Sequence, residues 1–202
     1  MTDGLDRTTA QQHDDCQLFP FKAIPRRVFL DTNIINVLVK WGEQVFEYAE
    51  LPEDIDATLR KDIEALMLVF HVGSRAHWDV VVSGKTLSEL SDTRDGALRQ
   101  ALIEYGKMLV DYQSHQGHGA NEQAFAADFG RRLKDSSFVS ALPDHADREL
   151  VGHAIAFGCD AFCTCDRRSI HRKRDGLRHL PLRILAPEEW WANIKPWAAL
   201  WC

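Results

Sequence analysis

The chain has 202 residues, of which 45% are hydrophobic and 27% charged. Those proportions suit one globular domain burying roughly 70% of its unfolded surface, large enough to need no disulfides, and they argue against wholesale disorder. Thirty Asp and Glu against 24 Lys and Arg give a formal charge of −6. That excludes a uniformly basic nucleic-acid-coating protein and obliges any anionic partner to find a local positive patch.

The opening residues, MTDGLDRTTAQQHDD, are polar and acidic where a signal peptide carries an apolar core. The run VFLDTNIINVLV is interrupted by Asp31, Asn33 and Asn36 and is far shorter than the roughly 18 residues of a membrane span, so no membrane partner is expected. The five cysteines (16, 159, 163, 165 and 202) are odd in number and three are bunched, a poor disulfide framework. A reducing cytoplasmic setting is the simplest expectation.

Residues 1–24 read as a loose leader without apolar periodicity. Val28–Leu30 forms a short buried strand ending at Asp31. From Asn33 to Glu50 the spacing of Ile34, Leu38, Trp41, Val45 and Tyr48 predicts a helix, stopped by Pro52. A second long helix is expected over 53–76, striped by Ile55, Leu59, Ile63, Leu66, Met67 and Phe70. DVVVS (79–83) reads as a second buried strand. Helices follow from about Thr86, over 97–113 and over 122–134, with a loop at 114–121.

Beyond Pro143 the pattern gives a helix near 147–157, a strand in DAFCTCD (160–166), a basic stretch, a last strand in PLRIL (181–185) and a helix opened by Pro187. Strands alternating with helices imply parallel β with helical crossovers, an α/β layer fold. The organisation expected is a leader (1–24), one domain (25–195) and a Trp-rich tail (196–202).

Four acids stand out on that map. Asp31 and Asp166 directly follow strands, Glu89 lies in the first turns after DVVVS, and Asp147 starts the helix before the AFCTC strand. In open parallel sheets, sites form at the carboxyl ends of strands. Carboxylates crowded there repel one another unless a cation compensates, and oxygen-only ligands favour Mg²⁺ or Mn²⁺. Such an ion activates water and stabilises charge on a phosphoryl oxygen. Each acid also has a purely structural explanation: Asp31 as a helix cap, Glu89 in a Thr86-x-x-Glu89 capping box, Asp147 as a helix-start acid, and Asp166 as a turn residue.

These residues resemble the PIN domain family, a metal-dependent nuclease fold. The resemblance rests on VFLDTNIINVL (28–38), TLSEL (86–90), DRELVGHAIAFGCDAFCTCD (147–166) and LRILAPEEW (182–190), and it spans about residues 27–192. It implies a mostly parallel twisted sheet flanked by helices, in three α/β/α layers. It implies that Asp31, Glu89, Asp147 and Asp166 form the catalytic and metal-binding quartet, holding one or two Mg²⁺ or Mn²⁺ ions. Asn33 and Thr164 would be the orienting polar residues beside them. The implied activity is that of an endoribonuclease cutting single-stranded RNA to leave a 5′-phosphate. Many small family members are toxins, so an antitoxin protein is an implied partner, as is a second copy in a homodimer. The helix at 53–76, the leader and the tail are additions to the shorter toxins. Asp144 lies one turn before Asp147, but only Asp147 has the family spacing to Ala154 and Asp166. The haloacid-dehalogenase pattern, Asp-x-Asp, is not met, because Asn33 cannot deliver a proton.

Residues 167–183 hold seven Lys and Arg against one Asp. Arg167, Arg168 and Arg172, beside Asp166, are the candidates to grip RNA phosphates, against a solvated charged loop. Cys159, Cys163 and Cys165 lack a usual zinc spacing and read as small buried hydrophobes. His115 and His118 stand three apart in the Gly-rich loop. Four of the six Trp (190, 191, 197 and 201) lie near the end and are expected to pack back on the core rather than stack bases. Two rival functions remain from sequence: a non-catalytic RNA- or protein-binding module on the same fold, and a structure-specific DNA nuclease.

Overall fold

The computed structural model describes residues 8–115 and 119–201. The first seven residues, His118, the His115 side chain and Cys202 lie outside the described residues. From the N-terminus come α1 (Thr9–Leu18), β1 (Arg27–Leu30), α2 (Thr32–Lys40), α3 (Gly42–Phe46) and α4 (Ala57–Ala76). Then follow β2 (Asp79–Val81), α5 (Gly84–Ser91), α6 (Gly96–His115), α7 (Ala120–Leu133) and α8 (His145–Ala156). β3 (Ala161–Cys163), α9 (Ile170–Lys173), β4 (Arg183–Leu185) and α10 (Pro187–Ile194) complete the chain.

The four strands form one parallel sheet in the order β2-β1-β3-β4. Side chains alternate between its faces, as strand geometry requires. Val28, Leu30, Ala161, Cys163 and Leu185 join a core with α2, α4, α6 and α10, including the buried Ile34, Leu66, Leu102 and Trp190. Phe29, Val81, Phe162 and Ile184 face the other way, onto Leu150, Val151 and Ala154 of α8 and Ala126 of α7. Phe29 and Phe162 sit in register on neighbouring strands with rings stacked 5.4 Å apart. Helices therefore cover both faces of the sheet, the three-layer arrangement expected from the sequence. On the second face α7 and α8 approach so closely that a Cβ on Gly152 would lie 2.7 Å from the Gly130 Cα. No helix among the described residues is long and apolar enough to cross a membrane.

Three local expectations change. The single helix over 33–50 is two. The chain leaves the helix at Trp41 and re-enters at Gly42, a poor helix former, and Tyr48 turns it away with a left-handed φ of 60°. The helix expected from residue 53 starts at Ala57, because Asp56 caps it by accepting from the Thr58 and Leu59 N–H groups.

The third change concerns the leader. Residues 8–24 are structured: α1 has a Thr8–Gln11 capping box, and the Gln12 side-chain amide donates to the Pro196 carbonyl. Trp197 Nε1 donates to the Phe19 carbonyl at 2.7 Å, and Phe21 packs on Trp197 and Trp201. Trp201 in turn meets Trp78 edge-on. The Trp-rich tail thus packs back on the core as its composition suggested, and the leader is what it clasps. Periodicity missed α1 because the helix is almost wholly polar and buries none of its residues deeply.

Candidate active site

Strand order places the site. From β1 the chain first moves to β2 on one side, and later to β3 and β4 on the other. The crevice between the carboxyl ends of β1 and β3 is therefore a topological switch point. Asp31 and Thr164 emerge there, each one residue past its strand.

Asp31 is only 3% exposed. Its Oδ1 accepts the Thr32 N–H at 2.7 Å, so it does cap α2. Its Oδ2 accepts from Thr164 Oγ1 at 2.6 Å and from Asn33 Nδ2 at 2.5 Å. Thr164 is fully buried, and its oxygen also accepts from Asn33 Nδ2 and from the Asp166 N–H. Asn33 Oδ1 accepts the Cys165 N–H at 2.8 Å. Asn33 and Thr164, the two expected orienting residues, thus stitch the ends of β1 and β3 around one carboxylate.

The other acids attach to this node through two hydroxyls that sequence reasoning passed over. Thr32 Oγ1 donates to Glu89 Oε2 at 2.6 Å, bringing α5 to α2. Glu89 is not part of a capping box. The box at that helix start pairs Ser83 with Thr86, leaving Glu89 nearly two turns inside α5. Ser169 Oγ lies within hydrogen-bond distance of Asp166 Oδ2 and, at 3.3 Å, of Asp147 Oδ2. A hydroxyl has one proton, so Ser169 serves one carboxylate at a time. The signals for Thr32 and Ser169 were present, as a hydroxyl one residue after Asp31 and another three after Asp166.

Burial and mutual repulsion set the electrostatics. Burial raises the Asp31 carboxyl to about 7; hydrogen bonds from Thr164 and Thr32 oppose this, and the charges of Asp147 and Glu89 add to it. Asp147 rises to about 6, first by burial and then by the charges of Asp144 and Asp166. Asp166 goes the other way. Burial pushes it up, but the Ser169 hydroxyl, the Ser169 and Arg168 N–H groups and the Arg168 charge together bring it below the ordinary range. Asp166 therefore fills its turn role as well, bonding the backbone of 168 and 169. All four expected acids thus sense one another directly or through a neighbour. Asp144 borders the same open cleft with Asp147, Asp166 and Ser169, but its Oδ1 is spent capping α8 on the Ala146 N–H.

The basic strip divides. Arg167 is not open to a phosphate: it donates to Asp62 at 2.7 Å and to Glu188 at 3.0 Å. Asp62 is 2% exposed on α4, and burial raises its carboxyl despite Arg167 beside it. Sequence reading missed Asp62, an acid set in the apolar stripe of a helix. Arg174 pairs with Glu189, Arg178 with Asp175, and Arg183 reaches Asn193 and the Ala23 carbonyl. Arg168, Arg172 and Lys173 are exposed. Cys159 and Cys163 are buried free thiols and Cys165 is half-buried.

The donor set suits a hard divalent ion. It is all oxygen, and Glu89 Oε1 is buried with no hydrogen-bond donor. Among the described residues no three His, Cys, Asp or Glu side chains already form a ligand group. A scan of family models, a search of curated proteins and a search of solved structures each found no match.

Proposed function

We propose that this protein is a divalent-metal-dependent endoribonuclease that hydrolyses phosphodiester bonds of single-stranded RNA. The observation that carries this reading is a set of four acids, at positions 31, 89, 147 and 166, coupled by hydroxyl hydrogen bonds and mutual repulsion around the β1/β3 switch point, with the Asp31 and Asp147 carboxyls raised first by burial and then by repulsion. Asp31, Glu89, Asp147 and Asp166 would hold Mg²⁺ or Mn²⁺, as one ion or two. Bound there, the ion supplies Lewis acidity, activating water and offsetting charge on a phosphoryl oxygen. The chain's own residues do the positioning. Thr32, Asn33 and Thr164 fix Asp31, the Thr32 hydroxyl fixes Glu89, and the Ser169 hydroxyl serves Asp166 or Asp147 in turn. Exposed Arg168, whose charge acts on Asp166, and exposed Arg172 on α9 suit the phosphates of an approaching strand. RNA as substrate, and a toxin role with an antitoxin partner, rest on the resemblance to PIN domains.

A module that binds without cutting is the second reading, favoured by the absence of a ready-made ligand group among the described residues. The test is a Mn²⁺ titration together with digestion of single-stranded RNA and of flap DNA. The proposal expects saturable Mn²⁺ binding and RNA cleavage, with cleavage lost in a folded Asp31→Asn variant. Saturable binding without cleavage of either substrate supports the module. Preferential cutting of the flap supports a DNA nuclease. Full metal-dependent cleavage by Asp31→Asn overturns the proposed site.

A further inference from the structure

Lys85 stands beside Glu89 at a position that helix energetics disfavours. It lies in the first turn of α5, where the helix dipole repels a cation, and it precedes Glu89 by four residues, the weaker order for such a pair. Its Nζ is 3.6 Å from Glu89 Oε1. That is an ion pair, but too long for a hydrogen bond. Glu89 Oε2 is held firmly by Thr32, whereas Oε1 is buried without a donor. Only 29% of the Lys85 side chain is exposed, so its stem packs while its charge faces the carboxylate.

We propose that Lys85 is a displaceable counter-ion of Glu89. In the ion-free protein its ammonium offsets Glu89 Oε1. When a divalent cation takes that oxygen, the ammonium turns to a non-bridging oxygen of the bound nucleic-acid phosphate. The inference rests on the proposed nuclease site and adds to it a coupling: cation binding frees a phosphate ligand, so each partner strengthens the other. A loose pair suits such an exchange, because little is lost when it opens.

The experiment uses the full chain with Lys85→Met, which keeps the stem, and Lys85→Arg, which keeps the charge. Lys173→Met, removing an exposed cation of α9 that has no place in the proposed site, is the control for general electrostatics. Mn²⁺ affinity is measured without RNA. Affinity for a fluorescein-labelled single-stranded RNA is then measured by anisotropy with and without Ca²⁺, another oxygen-seeking ion. Lys85→Met should bind Mn²⁺ about two- to fivefold more tightly, the worth of a loose pair without a hydrogen bond, and should lose most of the Ca²⁺-dependent gain in RNA affinity. Lys85→Arg should keep that gain, and Lys173→Met should leave Mn²⁺ affinity unchanged. Equal Mn²⁺ affinity in wild type and Lys85→Met, an equal rise in Lys173→Met, or an undiminished Ca²⁺-dependent gain overturns the inference alone. A wild-type chain with no Mn²⁺ site sensitive to Asp31→Asn overturns both the inference and the nuclease reading.

Discussion

Thr164 Oγ1 donates its single proton to Asp31 Oδ2 at 2.6 Å and fills both lone pairs, one with Asn33 Nδ2 and one with the Asp166 N–H. A hydroxyl offers one donor and two acceptor sites, so this one is fully used. It fixes the direction in which Asp31 can face and ties the turn carrying Asp166 to the same point. Thr164→Val keeps shape and removes all three bonds. A buried acceptor and a buried N–H lose a partner, at a cost of about 1–3 kcal/mol. Mn²⁺ affinity should fall about 10- to 100-fold, the usual effect of losing an orienting partner. Thr164→Ser should stay near wild type. A titration giving the valine variant wild-type affinity would remove Thr164 from the site.

The raised carboxyls make stability depend on pH in a definite direction. An unfolded Asp titrates near 3.8, and Asp31 in the folded chain near 7. Between those values the folded state holds a proton that the unfolded state has released. The contribution of this group is therefore full below pH 3.8 and is lost as pH rises through about 7. Asp147 acts the same way up to about 6. With metal chelated, denaturant melts should show stability falling over this range, by at most about 1.4 kcal/mol per pH unit for each group. Asp31→Asn should remove most of the slope between pH 6 and 7, and saturating Mn²⁺ should flatten it in the wild type. A slope that rises with pH, or one unchanged in the asparagine variant, would contradict the burial argument.

Arg167 is the side chain whose expected role the structure changes most. Arg167→Met should leave Asp62 buried without its partner and cost about 1–3 kcal/mol, less than a fully enclosed pair because Arg167 keeps some solvent. Removing both charges, Arg167→Met with Asp62→Leu, should recover most of the loss. Arg168→Met should leave stability unchanged and weaken RNA binding, with a shallower salt dependence. Thermal melts and RNA titrations at two salt concentrations separate these outcomes. Weakened RNA binding in the double variant at full stability would return Arg167 to the phosphate-binding face.

What the sequence by itself determined is whatever depends on short-range pattern. Short apolar runs gave the strands, 3.6-residue stripes gave most helices, and an acid just past a strand marked the edge where a site forms. Asp31 and Asp166 were legible as acids just past strands, Glu89 and Asp147 as acids in helices next to strands, and Asn33 and Thr164 only through the resemblance to PIN domains. Only the tertiary structure decided which of them meet and through what: the β2-β1-β3-β4 order that puts Asp31 beside Thr164, the Thr32 and Ser169 hydroxyls that link the outer acids, and the burial that raises two of them. It also decided that Arg167 answers Asp62 across 105 positions of chain, and that the tail clasps α1. The reason is physical. Backbone periodicity is set by neighbours a few residues away, whereas desolvation and ion pairing depend on groups brought together only when the sheet closes its layers.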